Sequence, residues 1–74
     1  MIYPDNFKNS CKREFPGCEN LHRLLDLGDS RVGMCLSDIV KEAITLSFVN
    51  PSPENARMVS QGLTLYNSWR ELIG

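Results

Sequence analysis

The sequence predicts an all-α fold, a small bundle of about four helices with the C-terminal helix longest or nearly so. Two observations lead there. Apolar residues recur at helical rather than alternating spacing along most of the chain. Breakers at Pro16-Gly17, Gly28 and Asn50-Pro51 cut it into four stretches with no repeat or low-complexity run between them.

The first stretch, Pro4 to Phe15, places Phe7, Cys11 and Phe15 four residues apart, on one side of a helix about three turns long. The second, Cys18 to Leu27, carries Leu21, Leu24 and Leu25 at helical spacing, and Gly28 suits a left-handed C-terminal residue. Asp29 or Ser30 is then available to cap a third helix, because a short side-chain oxygen accepts from the free N–H groups of the first turn.

From Val32 to Phe48 the residues Val32, Cys35, Leu36, Ile39, Val40, Ala43, Ile44 and Leu46 fill an arc of roughly 180° at about 100° per residue. Asp38, Lys41, Glu42 and Thr45 share the other side, where Lys41 is set to pair with Asp38 and Glu42. An alternative keeps Arg31 to Leu36 as a strand with Ser37 capping a shorter helix, since Gly33 weakens helix there.

Ser52-Pro53-Glu54 is a start signal: an N-cap hydroxyl, a proline where no N–H is needed, and an acid at the positive end of the helix dipole. The fourth helix is expected from Pro53 to about Leu72. Met58, Val59, Leu63, Leu65, Tyr66, Trp69, Leu72 and Ile73 occupy half its circumference. Covering a core on one side needs a stripe only a little over about 100° wide. The excess points to a second contact, and Leu65, Tyr66, Trp69 and Leu72 are the expected protein-binding residues, since aromatic anchors dominate such contacts.

The 74 residues make one helical domain that removes only roughly 60% of its unfolded surface from water, so support from disulfides, a metal or a second chain is worth seeking. Three cysteines cannot all pair within one chain, and their spacing does not form a secreted disulfide framework. With no signal-like start and no apolar run of membrane-spanning length, a cytoplasmic address and no membrane partner are expected. Cys11, Cys18, His22 and Cys35 are the residue types of a tetrahedral Cys₃His zinc site, but the short C-x₂₋₄-C knuckle is missing, and small core thiols are the expected reading, with no metal.

Eight Lys or Arg face nine Asp or Glu in mixed order, so neither a polyanion nor a polycation partner is implied. No nucleophile, base and oxyanion donor set is recognisable, and neither enzymatic activity nor a cofactor is expected. The expectation is a non-enzymatic interaction or regulatory module with a protein partner, most simply a second copy of itself. The alternative is a small DNA-binding regulator, either helix-turn-helix through Ser30 and Arg31 or ribbon-helix-helix through Arg31 to Leu36.

Overall fold

The computed structural model describes all 74 residues and contains four helices, α1 (Asp5–Glu14), α2 (Glu19–Leu27), α3 (Val32–Val49) and α4 (Pro53–Ile73), with no strand. Residues 31–36 are not a ribbon: Val32 already begins α3, and the Cys35 N–H bonds the Arg31 carbonyl at 3.0 Å. The helical period of Val32, Leu36 and Val40 outweighs the weakness Gly33 introduces. No helix is long and apolar enough to cross a membrane.

The helix ends follow local chemistry. Gly28 takes the left-handed conformation (φ 65°), and α2 closes as a Schellman motif, with Gly28 N–H on the Leu25 carbonyl and Asp29 N–H on that of Leu24. Ser52 caps α4 by accepting the Asn55 N–H at 3.1 Å behind Pro53. Of the two caps expected for α3, Ser30 makes no cap bond. Asp29 instead accepts the Arg31 N–H at 2.8 Å, one turn before the regular helix, and braces the same arginine's side chain.

The fold has two layers. α3 and α4 form an antiparallel pair, and α1 packs on α4 while α2 packs on α3. The pair is drawn close at two glycines. A Cβ at Gly33 would enter the Trp69 ring, and one at Gly62 would sit 2.7 Å from Val40 Cγ2. Gly33 thus faces Trp69, and Gly62 faces Val40. Phe7, Cys11, Phe15, Leu21, Leu24 and Leu25 of the first layer meet Val32, Leu36 and Leu65 of the second in one core.

Tyr3 locks the layers together from outside any helix. It is 2% exposed, its hydroxyl donates to the Asp29 carbonyl at 2.7 Å and accepts from Trp69 Nε1 at 3.1 Å, and its ring leans on Phe7. Three separated segments therefore share one side chain. Beside it the Met1 carbonyl occupies the space a Cβ on Gly28 would need.

At 1.5 Å per residue α3 and α4 reach about 27 and 32 Å, whereas α1 and α2 reach only about 15 and 14 Å. The second half of α3 therefore extends past α2, and Ile44 and Leu46, assigned from their periodicity to the apolar arc, are each 40% exposed.

Two substitutions test this architecture by chemical unfolding. Tyr3→Phe strands the Asp29 carbonyl and the Trp69 indole N–H and should cost about 1–3 kcal/mol. Gly33→Ala should cost a similar 1–3 kcal/mol by displacing the ring, although alanine is the better helix former. A neutral result for Gly33→Ala would mean that the two helices have room to part.

Candidate interaction surface

The four side chains expected to bind a partner lie largely within the molecule. Leu65 is 6% exposed and belongs to the core, while Tyr66, Trp69 and Leu72 are half-buried against it. Trp69 is held on Gly33 and bonded to Tyr3, with the Tyr66 ring 5.8 Å away. Leu72 lines a shallow groove between α1 and α4 with Phe7 and Leu65. Much of the broad stripe on α4 is used because that helix has a neighbour on each flank, α1 on one and α3 on the other.

The Cys₃His set is not assembled as a metal site. No three His, Cys, Asp or Glu side chains are placed to hold an ion. His22 Nε2 donates instead to the Phe15 carbonyl at 2.8 Å, which pins the turn between α1 and α2. The thiols do gather on one side of the core. Burial, and then the proximity of Cys35, pushes the Cys11 thiol up to about 12. Burial, and then Cys18, pushes Cys35 up to about 11, and Asn20 Nδ2 approaches its sulfur at 3.9 Å.

For DNA, Arg31 is already engaged. Its Nε and Nη2 clasp the Asp29 carboxylate, the closest contact being 2.8 Å, and these bonds with the Arg31 N–H hold the Asp29 carboxyl down at about 2. Lys8 and Lys12 converge on Asp26, and Arg13 and Arg57 on Glu14. Phosphate recognition needs free cations gathered on one face, and these five are dispersed and paired.

What remains uncovered is the side of the α3–α4 pair opposite α1 and α2. Taking Val40 and Gly62 as the facing positions, Ile44, Phe48 and Lys41 lie about 40–100° round α3, and Tyr66, Val59, Arg70 and Leu63 about 40–100° round α4 in the matching sense. Leu36, Ala43 and Leu65 lie in the other sense and are buried under the first layer. On the uncovered side Phe48 is 84% exposed, Leu63 46% and Ile44 40%, with Val59 and Tyr66 half-buried between them. Wheels drawn for single helices put Ile44 and Leu63 on core-facing arcs and left Phe48 unassigned. The signal lay in superposing the two wheels at Val40 and Gly62.

Two measurements follow. At neutral pH an alkylating reagent should modify Cys18 before Cys35 and Cys11 last, as read by mass spectrometry of the native protein; early loss of Cys11 would place that thiol outside the core. Asp29 is ionised more easily in the folded state than its ordinary value of 3.8 allows, so it adds stability above that pH and the gain disappears as pH falls toward about 2. Asp29→Asn should accordingly flatten the decline in melting temperature between about pH 4 and pH 2. In comparisons with known proteins, the chain matches no family, no curated protein and no solved structure.

Proposed function

We propose that this chain is a small non-enzymatic protein-interaction or regulatory module, and that its docking surface is the outer side of the α3–α4 pair. One observation carries the reading: Ile44, Phe48 and Leu63 stay in water there, clustered with Val59 and Tyr66, on helices whose other sides are packed. Isolated exposed apolar side chains are ordinary, but a contiguous group rimmed by polar residues marks a contact site. The C-terminal helix still contributes, through Val59, Leu63 and Tyr66 rather than through Leu65, Trp69 and Leu72. Proteins that dock in this manner commonly lay one amphipathic helix into a groove between two others.

An enzymatic reading draws no comparable support. Burial holds two of the three thiols protonated, and the sole imidazole is bonded to a backbone carbonyl. Both a second copy and a different protein are compatible with the apolar part of the surface. Its charged part discriminates between them.

Phe48→Glu tests the reading with little risk to folding, because exposed substitutions usually change stability by less than about 0.5 kcal/mol. The variant should melt with the parent and lose whatever protein copurifies with the native chain. Equal association by both chains, or no association by either, would remove the outer side from consideration.

A further inference from the structure

We infer that the outer side of the α3–α4 pair receives an amphipathic helix from a different protein, one whose apolar stripe is bordered by carboxylates. This rests on reading that side as a docking surface. It adds the chemistry of the partner.

The argument is the distribution of unpaired charge. Five of the eight basic side chains make ion pairs within the molecule, and Arg23, Lys41 and Arg70 do not. Arg23 donates to Asn20, one turn earlier in α2. Lys41 and Arg70 are both exposed, and both lie on the outer side within the arcs that hold Phe48 and Leu63. Lys41 does not pair with Asp38 or Glu42 as its spacing suggests. Asp38 turns to a depression shared with Asn20 and Arg23, and Glu42 to a groove shared with Glu14 and Phe15, each toward the first layer. Glu71, next to Arg70 in sequence, borders both the groove with Phe7 and Ser10 and the depression with Tyr66 and Arg70, yet makes no ion pair with Arg70.

The outer side therefore combines an apolar cluster with two cations that no carboxylate of the chain pairs. Gly62 faces Val40 and Gly33 faces Trp69, so Lys41 and Arg70 sit on opposite helices about 13 Å apart along the axis. A helix lying between α3 and α4 would meet one cation on each flank. A second copy fits poorly, because a twofold contact presents the same patch to itself, and Lys41 and Arg70 would be covered with no opposite charge. A helix with acidic borders supplies the missing charge and is steered toward it.

The test is selection from a displayed library of helical peptides with a fixed leucine stripe and randomised flanks, against the intact chain. Peptides enriched in Asp and Glu at the flanks are expected. Their affinity should fall roughly tenfold in the K41E/R70E double variant, fall steeply with added salt, and survive R23E unchanged. Phe48→Glu should abolish their binding. Enriched peptides that need Phe48 but show no acidic preference, or that ignore K41E/R70E, would overturn the inference and leave the docking surface standing. No enrichment, or binding indifferent to Phe48→Glu, would overturn both. A dimer in light scattering that Phe48→Glu converts to monomer would overturn it in favour of self-association.

Discussion

The approach of α3 to α4 at Gly33 and Gly62 is the constraint on which the other features depend. Because neither glycine has a side chain, the Trp69 ring can lie on one and Val40 can reach the other, and the two longest helices make one continuous slab. That slab has two sides. α1 and α2, with Tyr3 and Phe15 beside them, cover one of them, and no helix of the fold packs on the second.

Closure of the covered side is mechanical as well as hydrophobic. Tyr3 lies before the first helix, yet its hydroxyl reaches both the turn after α2 and the indole of α4. Every buried side-chain polar atom has a hydrogen-bond partner. The Tyr3 phenol, the Trp69 indole and the His22 imidazole are each bonded within the fold.

How much of this was legible from the residues alone depends on the distance over which each signal acts. Helix existence and ends were legible because they are set within a turn or two: Phe7, Cys11 and Phe15 by their spacing, Gly28 by its left-handed backbone, Ser52-Pro53 by capping. The roles of side chains on α4 were not, because the width of its stripe has two causes that look alike in one dimension. Leu65 and Trp69 face neighbours supplied by residues far away in sequence, whereas Leu63 does not, and only the superposed helices separate them. Lys41 is a smaller instance. Acids three residues before and one after it appeared sufficient partners, and the helix turns both of them toward the first layer.

Trp69 is the chain's sole tryptophan, and it stands where the N-terminal segment, α3 and α4 meet, with Tyr3 bonded to its nitrogen and Tyr66 beside its ring. The molecule consequently contains its own optical probe. Detachment of the first three residues alone would replace a phenol oxygen with water at the indole and alter its emission before any helix unwound. Intrinsic fluorescence and circular dichroism should then report different midpoints if that segment loosens first, so a disagreement between the two would be information about the N-terminal latch and not a failure of two-state analysis.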